Sequence, residues 1–295
     1  MNFFQRNIKK IDRFQMTHPT FGFPHAVVKK YAEDQGGYKA VLLTYYAFLS
    51  LFPLLLILTT VMQLLLRSES HLRTQITSSV TSYFPIIGSQ LQHDIHGFKS
   101  AGIPLLIGLV VLLYGTRGIA DAFRYTVNNV WHVPMAERSG FWPALGRSTA
   151  MVVGGGFGFL LAAVISSYAA LAGHSTVLHL LFLLATAFVL FCSFMFVIKM
   201  GLNRRVSLHE IGPGAAVATV GLLLLQILGS YIVTHELKHL DTLYGTFAVV
   251  LGLFFWLYLQ TQLIVYAMQV DAVRVLKLWP RSMTENDTPP GRIEH

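Results

Sequence analysis

Long apolar stretches alternate with shorter polar ones six times along this chain, at 41–66, 103–119, 150–171, 177–198, 215–233 and 246–268. Five of them run to about 19 residues or more and the second to about 17, the range a tilted helix needs to cross a hydrocarbon core of about 30 Å. In lipid every backbone amide must be bonded within its own segment, so runs of this length predict helices. The expectation is an all-α integral membrane protein with six transmembrane helices.

The segment ahead of the first run reads differently. Phe3, Phe4, Ile8, Ile11 and Phe14 recur at three- to four-residue intervals, with Arg6, Lys9, Lys10 and Arg13 between them. That pattern predicts an amphipathic helix lying in the membrane interface. A frayed basic tail is the alternative, and the aromatic content argues against it. Pro19 and Pro24 are expected to break the segment, leaving a second short helix over 26–33. Residues 1–38 thus form a cytoplasmic interfacial segment, and 39–272 the membrane domain, with an external loop at 67–100. Residues 273–295 form a disordered cytoplasmic tail. No short apolar region with a small-residue cleavage site precedes residue 41, so the first span is expected to remain in the mature protein.

Charge orients this picture. Only 12% of residues are charged, about half the share in a soluble domain. With the N-terminus assigned to the cytoplasm, 18 of the 22 basic residues fall inside. The positive-inside rule then predicts a bacterial inner-membrane protein with both termini cytoplasmic. A net charge of +8 so placed points to anionic lipid, not nucleic acid, as the partner; oligomers are compatible with it. The single cysteine, Cys192, falls inside the fourth run, which excludes a disulfide framework and a thiol metal site. No cofactor is expected.

Candidate functional residues follow from polar groups placed against lipid. Tyr45 and Tyr46 precede Pro53, whose missing N–H kinks a membrane helix. At the end of the second span, Arg117 and Asp121 are four apart and share a helix face, with Arg124 one turn on. A cytoplasmic gate or headgroup contact is one reading, an ordinary interfacial ion pair the other. Asn128-Asn129-Val130-Trp131 follows, with a tryptophan suited to the membrane boundary. Gly154, Gly155 and Gly158 open span three without the strand or lysine of a phosphate loop, so close helix packing is expected. Gly212-Pro213-Gly214 opens span five, where proline suits a first helical turn. Gln226, Gln260 and Gln262 are the deeper polar groups, lining a path or bonding neighbouring helices, and Tyr244 stands ahead of the last span. No acidic residue lies deep within a span: Glu210 precedes the fifth and Asp271 follows the sixth.

His235-Glu236-Leu237-Lys238-His239 matches the H-E-x-x-H zinc pattern, in which histidines four apart on one helix reach one metal. It falls where the fifth span must stop and turn. The expected role is a polar, pH-sensitive turn; His235 and His239 are retained as candidate metal ligands only.

Tyr45-Tyr46-Ala47-Phe48-Leu49-Ser50-Leu51-Phe52-Pro53 resembles the first-span signature of the YihY/BrkB family. Asn129-Val130-Trp131, Gly212-Pro213-Gly214-Ala215, Tyr244-Gly245-Thr246 and Phe255-Trp256-Leu257-Tyr258 are similar to its later motifs. Leu278-Trp279-Pro280-Arg281 looks like the actinobacterial branch. The resemblance implies a six-helix inner-membrane protein with cytoplasmic termini. Members were long labelled ribonuclease BN, an assignment regarded as mistaken; one relative is named for serum resistance and another is linked to export of a lipid A precursor. Gln269 departs from the glutamate common at that position.

Three functions compete. The leading one is a transporter or flippase for an amphipathic, lipid-like envelope molecule, since glycine and proline breaks in spans are where transport sites form. A non-transporting scaffold for envelope assembly, working through small-residue helix faces, is the second. A membrane metalloenzyme using His235, Glu236 and His239 is the third. Ribonuclease activity is not expected.

Overall fold

The computed structural model describes residues 19–65, 103–171, 176–235 and 237–279, with side chains over 22–51, 115, 117–168, 176–229 and 250–279. The helix expected over residues 3–14 and the loop 67–100 lie outside the described residues. What is described is helical, without a strand. A short helix, α1 (Pro19–Glu33), precedes six long ones: α2 (Gly36–Leu65), α3 (Ile103–Val130), α4 (Phe141–Leu171), α5 (Thr176–Gly201), α6 (Leu208–His235) and α7 (Leu237–Val275).

Consecutive long helices pack as antiparallel pairs, α2 on α3, α4 on α5 and α6 on α7. Contacts of α3 with α4, α5 with α6 and α7 with α2 close them into a ring, and α3 also touches α5 and α7 across it. Side chains on α4, α5 and α6 that leave the ring are large and apolar, among them Phe157, Leu181, Phe188, Leu224 and Ile227. Four helical segments are long and apolar enough to cross a membrane among the described residues: Phe141–Tyr168, Thr176–Gly201, Leu208–Gly229 and Val250–Val275. An apolar outer surface of that extent has no place in water, and it defines a multi-pass membrane protein.

Every long helix runs past its apolar run at one end of the ring, and a large cluster of buried side chains lies there. Phe123, Val127, Ile198, Ile211, Val265 and Met268 meet in it. This is also where the basic residues gather, so it is termed the basic end. Trp131 is 1% exposed in that core, with the Arg204 guanidinium 6.0 Å from its ring. The expected membrane-boundary tryptophan is thus a packing residue, because the chain turns back over it at Val133.

Three expectations about boundaries change. Pro19 and Pro24 do not break the first segment: Pro19 opens α1, where its missing N–H is one of the orphans anyway, and Pro24 removes one bond near the helix start. Nor does α1 lie apart from the bundle. Ala26 and Val27 pack on Val273 and Leu278. Residues 273–279 in turn belong to the packed structure, with the Trp279 ring edge-on to Phe23 at 5.9 Å. Finally, α6 starts at Leu208, so Pro213 lies inside it. The start is fixed by a capping box, Ser207-x-x-Glu210, in which the Ser207 N–H donates to Glu210 Oε2 at 2.6 Å.

Helix α7 ends with the Leu278 N–H on the Val273 carbonyl at 3.0 Å and Lys277 at φ 51°. Left-handed backbone costs a non-glycine residue about 1–2 kcal/mol, part of which glycine loses again as chain entropy. Lys277, exposed, should therefore tolerate glycine: Lys277→Gly is expected to stabilise the fold by about 0.5 kcal/mol, read as a higher thermal midpoint in detergent.

Candidate functional site

A cleft of about 400 Å³ opens between α2 and α3 at the basic end, lined by Leu42, Tyr46, Arg117, Gly118, Asp121, Ala122 and Tyr125. Small residues on α3 make it. Gly115 packs so closely that a Cβ there would sit 3.1 Å from the Ser50 Cα, and a Cβ at Gly118 would enter the Tyr46 ring. The helices cross tightly at Gly115 and Gly118, and the cleft extends one turn on, to Asp121, Ala122 and Tyr125. Leu42 and Tyr46, four apart, face the gap from α2.

Charge in the cleft is arranged around one carboxylate. Asp121 Oδ2 lies 3.6 Å from Arg117 Nε, and Oδ1 lies 3.7 Å from Arg124 Nη1. Ser148 on α4 donates to Oδ1 at 2.9 Å and accepts from Arg124 at 3.3 Å. Two guanidinium groups around one carboxylate leave an excess positive charge. The two are not equivalent. Arg124 is buried, donates to the Ala144 carbonyl at 3.1 Å, and leaves its Nε without a partner. Burial pushes the Arg124 guanidinium below its ordinary value, Asp121 opposes this, and Arg147 adds to it. Arg117 is half exposed, 5.2 Å from the Phe141 ring, and available to an incoming group. Tyr125 is covered on one face by Arg138, 5.8 Å from its ring.

Of the residues singled out from the sequence, Tyr46, Arg117 and Asp121 line this cleft, with Arg124 behind them. Tyr45 stands beside it, exposed and edge-on to Tyr46 at 5.2 Å. Asn128 is elsewhere: its amide donates to the Gly201 carbonyl at 2.9 Å and accepts the Asn203 N–H at 2.8 Å, capping α5. Gln260 belongs to α7 and does not line the cleft. Pro53 and Tyr244 fall within α2 and α7, with side chains outside the described residues. Gly154, Gly155 and Gly158 face Phe196, Val197 and Ser193 of α5.

Gly212 faces open space, whereas Pro213 and Gly214 form a joint with α7. Proline has no N–H to give the His209 carbonyl, and Arg274 fills the place at 3.2 Å. Gly214 turns its N–H to Asp271 Oδ1 at 2.6 Å. Asp271 lies past the sixth apolar run, as the sequence places it, yet inside α7 and fully buried. The reason is that α7 continues helically past the apolar run. His235 closes α6 while His239 belongs to α7. The zinc pattern needs both on one helix, and the side chains at 235, 236 and 239 lie outside the described residues.

One polar cluster escaped the sequence reading. Lys30, 1% exposed, pairs with Asp34, donates to the Val130 carbonyl at 3.0 Å and lies 3.2 Å from His132 Nε2. Gln269 donates to Asp34 at 2.9 Å. Lys39 reaches the Asp34 carbonyl; burial lowers the pKa of its ammonium and Asp34 opposes the shift. The four-residue spacing of Lys30 and Asp34 was the available signal, but it is equally common on solvated faces.

The profile of the family described as Virulence factor BrkB matches residues 27–288. The chain belongs to that family. A "UPF0761 membrane protein" of Chromohalobacter salexigens is 26% identical over 256 residues, covering 83% of this chain and 61% of the relative. Another of that description, from Chlorobium phaeobacteroides, is 25% identical over 241 residues, covering 79% and 52%. A Bacillus subtilis protein named "Putative ribonuclease-like protein YfkH" is 23% identical over 272 residues, covering 85% and 94%. The chain thus spans roughly half to three-fifths of the first two relatives. No solved structure matches it.

Proposed function

We propose that the protein crosses the bacterial inner membrane six times, with its basic end in the cytoplasm, and moves an amphipathic, lipid-like anion between leaflets. The observation that carries this reading is the α2–α3 cleft. It joins a half-exposed guanidinium to an apolar and aromatic wall at the end of two long helices. An anionic headgroup would meet Arg117 while its apolar part lies along Leu42 and Tyr46. On this reading α2 and α3, at 30 and 28 residues, cross with the other four, and anionic lipids are the partners.

The scaffold reading loses its main support, since Gly154, Gly155 and Gly158 are engaged with α5 inside the fold. The metalloenzyme reading gains no support from His235 closing one helix while His239 belongs to the next. We read the protein as a carrier without hydrolytic chemistry.

The test is leaflet exchange of a fluorescent anionic phospholipid in vesicles holding the purified protein. Wild type is expected to exceed empty vesicles. Arg117→Gln should cut exchange by roughly tenfold or more, the scale of one charge-assisted hydrogen bond. Exchange equal to empty vesicles across several anionic lipids would overturn the proposal.

A further inference from the structure

Asp271 is fully buried on α7, and its Oδ1 accepts the Gly214 N–H at 2.6 Å. Its Oδ2 has no partner. Arg274, one turn further on, points to α6: Nη1 donates to the His209 carbonyl at 3.2 Å and Nη2 lies 3.4 Å from His209 Nδ1. It forms no ion pair with Asp271. The other charged group at the start of α6, Glu210, is turned to the Ser207 N–H. From α1, Ala26 and Val27 meet this part of α7 at Val273, while Lys30 and Asp34 engage α7 at Gln269, where Asp34 takes the amide.

An ionised carboxylate in this place has one backbone donor, no direct ion pair, the charge of Arg274 one turn on, and an oxygen facing protein. Burial of such a charge costs several kcal/mol, and the usual resolution is to neutralise it. The surroundings suit the acid form. A Cβ built on Gly214 would run into Asp271 Oδ2 and would also sit 2.5 Å from the Ala267 carbonyl oxygen. Oδ2 and the Ala267 carbonyl oxygen therefore border the same small space beside Gly214, where a proton on Oδ2 would turn toward that oxygen while Oδ1 keeps the Gly214 N–H.

We propose that Asp271 is a proton-binding site whose loading sets how the first turn of α6 is held to α7. A proton from water at the basic end forms the O–H bond on Oδ2, and the same bond breaks when it returns. In the loaded state Asp271 is neutral and Arg274 stays on the His209 carbonyl, the place that Pro213 leaves open. In the unloaded state the carboxylate draws the Arg274 guanidinium from His209 to itself, and the α6 start loses one of its two ties. This joint is independent of which molecule the α2–α3 cleft takes, and it would give a carrier access to the proton gradient.

Infrared difference spectroscopy of the full-length protein, between mildly acidic and mildly alkaline pH, tests this. Wild type should show the carbonyl stretch of a protonated carboxylic acid on the acidic side, lost on the alkaline side. Asp271→Asn should lack that band and Asp121→Asn, at an exposed carboxylate, should keep it. Arg274→Gln removes the cation that receives the unloaded form, so the band should persist to higher pH, by roughly tenfold or more in proton affinity. If Asp271→Asn does not fold, the Arg274→Gln shift decides. A wild-type spectrum without the band, a band untouched by Asp271→Asn, or a midpoint unmoved in Arg274→Gln would each overturn the proposal.

Discussion

Lys30→Ala is expected to destabilise the protein by about 3–5 kcal/mol, the cost of breaking a buried pair by removing one member. Lys30 is 1% exposed, and its ammonium ties α1 to the end of α3: it pairs with Asp34 just after α1, donates to the Val130 carbonyl that ends α3, and meets His132 in the turn beyond. Alanine leaves the Asp34 carboxylate with Gln269 as its remaining side-chain donor and removes the donor from a helix-terminal carbonyl. Lys29→Ala is the internal control, because the pair of Lys29 with the half-exposed Glu33 is long, at 4.0 Å, and such pairs are on the scale of 0–1 kcal/mol. Denaturant titration in detergent separates the two. Equal, small losses would show that α1 is not docked through Lys30.

The second large effect is a contrast between two glycines on one helix turn. A Cβ at Gly214 collides with Asp271 Oδ2 and with the Ala267 carbonyl oxygen, which is backbone and has nowhere to move; nothing lies within 4 Å of a Cβ at Gly212. Gly214→Ala should cost about 3 kcal/mol or more, combining overpacking of about 1–3 kcal/mol with strain on the hydrogen bond to Asp271. Gly212→Ala should be neutral or stabilising by up to about 1 kcal/mol, from helix propensity. Thermal midpoints of the two variants, prepared side by side, check this. Matching midpoints would refute the close approach of α6 to α7.

These two effects differ in how far the sequence announces them. Gly212-Pro213-Gly214 stands out in the chain as a place for a close neighbour, but it does not say which glycine meets one. That depends on the direction each Cα faces once Ser207 and Glu210 fix the start of α6. Lys30 looks like one more cation of a basic segment. Its burial follows from the return of α3 and α7 to the same end, about 100 and more than 200 residues further on. The cleft residues Tyr46, Arg117 and Asp121 were visible because polar groups beside long apolar runs are few. Asn128 and Trp131 were visible for the same reason and turned out to serve packing and capping. Polarity beside lipid marks a residue as constrained; it does not separate a binding contact from a structural one.

The sequence alone determined the apolar runs, the helical state and the concentration of cations at one end. Hydrocarbon-length runs and backbone satisfaction in lipid leave little freedom, and both are local along the chain. Only the tertiary structure decided that Ser148 of α4 reaches Asp121 on α3, that α1 is seated on the bundle, and that Asp271 is buried. Each of those depends on contacts between distant segments, where one rotation of a helix about its axis exchanges a lipid-facing side chain for a buried one, and no single segment encodes that rotation.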